Sequence, residues 1–296
     1  MKQITVDESF SKERLNKYLS RLLPNASMGF IYKMLRKKNI VLNGKKASGN
    51  ELLDAGDEIK IFFSDETYEK FSKKGSPVIH NALPVRVIYE DKDIIAVHKP
   101  AGLLSQSDRA GGDCVNARIL SYLAKKNELP SDFTPSIVNR LDRNTSGLVL
   151  AGKTYQGVRT LTEEIRTRKV VKTYKCICVG RFEEHKTVTA YLKEIPGNQV
   201  EIYDNEVAGS RRIITEFIPE TQLNGYTLLT VILHTGRKHQ IRAQLAAINH
   251  PVAGDAKYGR GKGTMYLHAY SVDIPEIGTI TDPLPDDFTR FINAHL

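Results

Sequence analysis

Apolar positions fall into two regimes along the chain. Near the N-terminus they recur at helical spacing: Leu15, Tyr18, Leu19, Leu22 and Leu23 predict a helix stopped by Pro24, and Ile31, Met34 and Leu35 predict a second. Ile40-Val41-Leu42 then reads as a strand and Asn43-Gly44 as a tight hairpin turn. The turn Ala55-Gly56-Asp57 leads into another strand, Glu58 to Phe63. Two short helices and a hairpin make one compact unit, set at residues 1–64, and residues 65–83 lack periodicity and read as a linker. From residue 84 strand-like runs dominate: Val85–Tyr89, Asp93–Val97, 170–179, 187–192, 211–217 and Thr227–Leu233. One amphipathic helix interrupts them, Tyr155 to Arg168, with Val158, Leu161 and Ile165 inward. The expected class is α+β, a mixed and largely antiparallel sheet over 84–296 preceded by a small α/β module.

Composition narrows the partners. The net charge is +9, and six basic residues with no acidic one lie between Phe30 and Lys46: Lys33, Arg36, Lys37, Lys38, Lys45 and Lys46. Two thirds of the excess charge therefore sits on one helix and one turn of the small module, a cationic ridge suited to the phosphates of a nucleic acid. The longest clean apolar run, Leu228 to Leu233, is far short of a membrane span, and the first residues lack a signal-peptide core, so a cytoplasmic protein is expected. The three cysteines, Cys114, Cys176 and Cys178, match neither a disulfide framework nor a zinc site. The eight histidines show no ligand spacing, and Gly259, Gly261 and Gly263 do not form a phosphate loop. No metal or cofactor is expected.

Chemistry concentrates in residues 139–153. There Asp142 stands between Arg140 and Arg143, a polar turn Asn144-Thr145-Ser146-Gly147 follows, and the buried-strand pattern Leu148–Ala151 comes next. A carboxylate on a turn ahead of a buried strand is held by the scaffold yet open to a substrate, and flanking guanidiniums favour its ionised form. That is what attack at a sugar carbon requires. Arg-x-Asp beside a turn is also a common surface ion pair.

The block Asn139-Arg-Leu-Asp-Arg-Asn-Thr-Ser-Gly147 resembles the His-Arg-Leu-Asp-x-x-Thr-Ser-Gly motif of the RluA-type pseudouridine synthases, departing only at Asn139. Further strings agree, in the family's order. Lys99-Pro-Ala-Gly-Leu103 follows Lys-Pro-x-Gly-Leu, and Lys172-Thr-Tyr174 follows Lys-x-Tyr. Thr235-Gly-Arg-Lys-His-Gln-Ile-Arg242 follows Thr-Gly-Arg-x-His-Gln-Ile-Arg. His250-Pro-Val-Ala-Gly-Asp255 with Tyr258-Gly259, and Leu267-His-Ala269, complete the set. The small module resembles an alpha-L RNA-binding domain, and the whole looks most like the RluC-type branch acting on ribosomal RNA.

The resemblance implies an isomerase that turns uridine into pseudouridine without a cofactor. It implies Asp142 as the essential carboxylate, Arg242 as its ion-pair partner and Tyr174 as the ring against the uracil. Leu267 would pack beneath that ring, Arg140 would fill the gap left by the everted base, and Arg237 and His239 would lie on the substrate side. Asp255 reads as a turn residue and His268 as a structural histidine. The expected partner is RNA, ribosomal first and transfer RNA second, for a monomer away from membranes. Two rivals stand beside this: a non-enzymatic RNA-binding or ribosome-assembly factor, and a nucleosidase-like hydrolase, which ordinarily needs a second carboxylate.

Overall fold

In the computed structural model, residues 1–72, 83–107, 112–130 and 133–296 are described. The N-terminal module runs β1 (Lys2–Thr5), α1 (Leu15–Leu22), α2 (Met28–Arg36), β2 (Ile40–Leu42), β3 (Lys45–Lys46), β4 (Glu58–Ile61) and α3 (Asp65–Ser72). Its strands form an antiparallel sheet in the order β1-β4-β2-β3. The apolar stripes do what their spacing predicts: Leu15, Leu19, Ile31 and Leu35 are fully buried against Ile40, Ile59 and Ile61. Ser27 caps α2, its Oγ accepting from the Phe30 N–H at 3.2 Å. Asn43 and Gly44 both adopt left-handed φ, 49° and 71°, as a two-residue hairpin turn demands.

Two features depart from what the sequence predicts. Strand β1 carries no alternating signal, because three of its four residues are exposed. Helix α3 occupies ground read as linker; it buries no residue fully, and the module holds it by Phe30 against Phe71 at 4.4 Å and by Asn25, which donates to the Phe71 and Lys70 carbonyls at 3.2 Å. Residues 73–82 of that linker lie outside the described residues.

The second domain runs β5 (Arg86–Glu90), β6 (Ile94–Lys99), α4 (Val115–Lys125), β7 (Ser136–Ile137), β8 (Ser146–Gly152), α5 (Tyr155–Arg166), β9 (Val171–Val179), β10 (Lys186–Ile195), β11 (Gln199–Tyr203), β12 (Arg211–Leu223), β13 (Tyr226–Leu233), α6 (Gln240–Ala247), β14 (Leu267–Ile274), β15 (Gly278–Thr281) and α7 (Asp286–His295). One continuous sheet has the order β11-β10-β12-β13-β9-β14-β8-β6-β5, with β15 beside β14 and β7 beside β8. Among the described strands the only parallel pair is β14 with β8, which sets His268 beside Ser146. Helices α4 and α6 pack on one face, where Val115, Ile119, Ile241 and Leu245 join Val97, Val149, Cys176, Cys178 and Val231. Helices α5 and α7 contribute to separate clusters, Leu161 with Leu148 and Leu150, and Phe288 with Ile177 and Leu228. The described helices include none long and apolar enough to cross a membrane.

The two domains touch through an aromatic seat. The Arg21 guanidinium lies 4.2 Å from the Phe10 ring and 4.7 Å from that of Tyr155 at the start of α5, while Glu13 grips it at 2.8 and 2.9 Å. Arg159 of α5 donates to the Ser11 carbonyl at 3.0 Å.

Candidate active site

The loop between β7 and β8 is fixed before it is functional. Leu141 exchanges two hydrogen bonds with the Ser105 hydroxyl, at 2.9 and 3.0 Å. The Arg143 carbonyl accepts from the Gly102 N–H at 2.8 Å and from Lys99 Nζ at 2.9 Å. Thr145 N–H closes a turn onto the Asp142 carbonyl at 3.1 Å. Asn139, standing where the motif has histidine, uses both ends of its amide. Its Oδ1 accepts from Leu150 N–H at 2.7 Å and its Nδ2 donates to the Leu148 carbonyl at 3.3 Å, so the substitution leaves the loop tied to β8. Gly147 (φ 116°) must be glycine, since a Cβ there would lie 2.3 Å from the Ala269 carbonyl oxygen. That contact lets β8 and β14 approach.

Asp142 emerges from this loop with its side chain 22% exposed. Arg242 Nη1 donates to its Oδ2 at 2.8 Å, across one hundred residues of sequence. The guanidinium is itself clamped: Nε and Nη2 donate to the two carboxylate oxygens of Asp255, at 2.7 and 2.9 Å. Asp255, read as a turn residue, is fully buried and also accepts from the backbone of Lys257 and Tyr258. Burial alone would raise its pKa; the Arg242 guanidinium and those amides more than offset this and hold the carboxyl below its usual range.

A second partner flanks the carboxylate. His239 caps α6 in the left-handed conformation (φ 53°), and its Nε2 stands 3.8 Å from Asp142 Oδ2. Its Nδ1 lies 2.7 Å from the Tyr258 hydroxyl, which already accepts from Val200 N–H at 3.0 Å. His239 Nδ1 and the Tyr258 hydroxyl thus share one hydrogen bond, which fixes the ring with Nε2 facing Asp142. Burial chiefly lowers the His239 pKa, with the Arg242, Lys257 and Lys238 charges adding to it and Asp142 opposing.

Tyr174 on β9 and Leu267 on β14 are buried in one cluster on this face of the sheet. Burial, reinforced by the Asp142 charge, pushes the Tyr174 phenol well above its ordinary value, so it stays protonated. Arg140 and Arg237 are exposed. The six cations of the ridge are all exposed on the other domain, with no acidic partner among the described residues. A cleft of 670 Å³ opens there beside Tyr32, Arg36 and Lys46. His268 is structural as expected, fully buried between the Ser146 hydroxyl (2.9 Å) and the Asp282 carbonyl (3.0 Å).

Lys99 was legible only as part of a motif. It is fully buried, its ammonium donates to the carbonyls of Pro100 and Arg143, and burial pushes it down to about 7 against the pull of Asp142. An unfolded lysine holds its proton up to about pH 10.4. Between those values the unfolded chain binds more protons, so stability should climb with pH across the window and be lost as pH falls through the folded value. A plot of Tm against pH should therefore be flatter for Lys99→Met than for the wild type.

Comparison with known proteins follows the same lines. Residues 93–247 match the sequence profile described as RNA pseudouridylate synthase, and residues 13–59 match the S4 domain. Ribosomal large subunit pseudouridine synthase C of Rickettsia bellii is 33% identical over 282 residues, covering 91% of each chain. Ribosomal large subunit pseudouridine synthase D of Nitrosomonas europaea is 27% identical over 311 residues, covering 99% of this chain and 87% of the other. Among solved structures, human RNA pseudouridylate synthase domain containing 4 superposes with a TM-score of 0.60 at 19% identity, covering 70% of this chain and 92% of the other; it shares the fold.

Proposed function

The chain belongs to the RNA pseudouridylate synthase family, of the RluA type with an N-terminal S4 domain, and from that premise we propose that it acts on uridines of large-subunit ribosomal RNA through Asp142. The reaction breaks the N1–C1′ bond, turns the uracil and joins C5 to C1′; C5 loses a proton and N1 gains one, so nothing is gained or lost overall. The observation that carries the assignment of Asp142 is its setting, a part-open carboxylate gripped by the buried Arg242 guanidinium and facing the His239 ring. A carboxylate held this way is aimed before substrate arrives, acting on the ribose as nucleophile at C1′ or as base.

The other residues take roles consistent with their places. Tyr174, kept protonated, packs on the uracil above Leu267 and can lend or hold a proton. Exposed Arg140 fills the gap in the RNA when the uridine is everted, and Arg237 and His239 line the substrate side. Lys33, Arg36, Lys37, Lys38, Lys45 and Lys46 grip phosphates, giving affinity more than sequence choice. Residues 1–64 and 84–296 would work as the two functional units, as a monomer. The ribosomal target is supported by what the Rickettsia and Nitrosomonas relatives are named for.

Pseudouridine mapping of total RNA from cells with and without the gene tests this. Loss of specific sites in large-subunit ribosomal RNA is the expected result. Loss confined to transfer RNA would move the target, and loss nowhere would defeat the proposal. Release of free uracil from substrate RNA would indicate hydrolysis instead.

A further inference from the structure

A second basic feature lies on the synthase domain itself, outside the carboxylate site. Where α5 ends and β9 begins, a groove of 560 Å³ runs against the ends of β12 and β13. Arg166, Arg168, Lys172, His234 and Arg237 line it, with Ile232 among the aliphatic residues between them. Two of the five have acidic partners: Arg166 pairs with Glu163 at 2.6 Å and His234 with Glu216 at 3.1 Å. Arg168, Lys172 and Arg237 have none among the described residues. Arg168 and Arg237 are exposed at the rim, while the Lys172 ammonium lies so close to the Gly236 backbone that a Cβ there would meet it at 3.3 Å.

Cations gathered without counter-ions repel one another, and one that is also half-buried loses hydration without recompense. Lys172 shows the cost, since burial lowers its pKa. An anion seated in the groove would relieve both penalties at once. The groove's position says which anion. Lys172 precedes Tyr174 by two residues on β9, about 6–7 Å along a strand, and Arg237 precedes His239 by two. That is the scale of one nucleotide step from the face that holds the carboxylate.

Building on the proposed function, we propose that this groove is a phosphodiester-binding subsite, which holds the RNA strand beside the everted uridine and contributes affinity independently of the S4 ridge. Arg168 and Arg237 contact phosphate oxygens from the rim, and Lys172 supplies charge from the floor. The subsite positions the strand and takes no part in the bond changes.

The test uses the full-length protein and an unmodified transcript of large-subunit ribosomal RNA. The Arg168→Gln/Arg237→Gln double variant should weaken RNA binding by roughly tenfold at low salt, about 1.4 kcal/mol. It should also reduce the slope of log affinity against log salt by about 0.7–0.9 for each phosphate that is no longer neutralised. KM should rise with it. The Arg168→Lys/Arg237→Lys variant should keep most of the affinity, because a phosphate accepts either cation. Arg290→Gln, which removes one exposed charge from α7, sets the background for general electrostatics.

If the double variant loses no more affinity than Arg290→Gln, or loses kcat with affinity intact, the subsite is disproved. A drop in Tm with unchanged RNA binding would equally disprove it, leaving the arginines as mere complements to the negative end of α5. Affinity is read whether or not pseudouridine forms, so failure of the wild type to modify RNA would count against the proposed function and not against the groove.

Discussion

Asp142→Asn is expected to bind RNA at least as tightly as the wild type and to form no measurable pseudouridine, a fall of at least about 10³-fold in rate. The substitution keeps size and shape, and the new amide oxygen can still accept from Arg242 Nη1. The loop is held by contacts that do not involve this side chain, from Ser105, Lys99 and Gly102, so it should keep its course. What disappears is the negative charge proposed to act on the ribose. Removing an anion from a surface that meets phosphates can only help binding. Filter binding with the same transcript, beside single-turnover assays, separates the two effects. A variant that still modified RNA would transfer the chemistry to another group, and a wild type that bound the transcript while forming no pseudouridine, with Asp142→Asn binding just as well, would fit the rival reading of a pure RNA-binding factor.

The second large effect concerns the guanidinium. Arg242→Met should cost both folding stability and activity, for different reasons. Asp255 is fully buried and keeps its charge because Arg242 holds both its oxygens. Stranding it should destabilise the fold by about 3–5 kcal/mol. The sign of the pH dependence then reverses. In the wild type the depressed Asp255 pKa stabilises above the ordinary carboxylate range, and that contribution is lost as pH falls. In Arg242→Met only the Lys257 and Tyr258 amides oppose burial, Asp255 should bind its proton more readily folded than unfolded, and the variant should gain stability as pH drops. Adding Asp255→Asn removes the stranded charge and should recover much of the Tm without recovering catalysis, because Asp142 is still unaligned. Recovery of both would show that Arg242 matters to folding alone.

The sequence carried the chemistry unevenly. Asp142 was visible because a carboxylate between arginines, then a turn, then a buried strand is a local pattern. Arg242 came through a short string shared with a family. The partners that make the pair work were hidden. Asp255 follows a glycine and looks like any turn aspartate; that it grips Arg242 depends on a contact between a helix and a distant loop. Lys99 closes a strand, and no local rule announces a lysine with no exposure. Tyr258 reaches Asp142 indirectly, through His239 and through the Arg242 guanidinium, which lies 5.2 Å from its ring.

The same reasoning applies to the elements. Helix α6 has no apolar stripe to find, because Gln240, Arg242 and Gln244 are as buried as Ile241, Ala243 and Leu245. Helix α4 does carry one, Val115, Ile119 and Leu123, yet it is absent from the elements expected of the sequence. The region of α3 is polar and its anchoring ring, Phe71, meets the rest of the module only in three dimensions. Helices α1, α2 and α5 were legible because each buries one side and exposes the other.

The β8–β14 pairing has a consequence for how the molecule comes into being. The core of the S4 domain draws almost entirely on residues 4–71, and so can close before the synthase domain has been made. The carboxylate loop cannot follow suit: its strand waits for a neighbour that begins at Leu267, and its guanidinium comes a hundred positions after it. Contacts of such sequence separation form slowly. During synthesis the nascent chain thus carries a folded S4 domain well before its carboxylate loop can close, because that loop waits for Arg242 and for the strand that begins at Leu267.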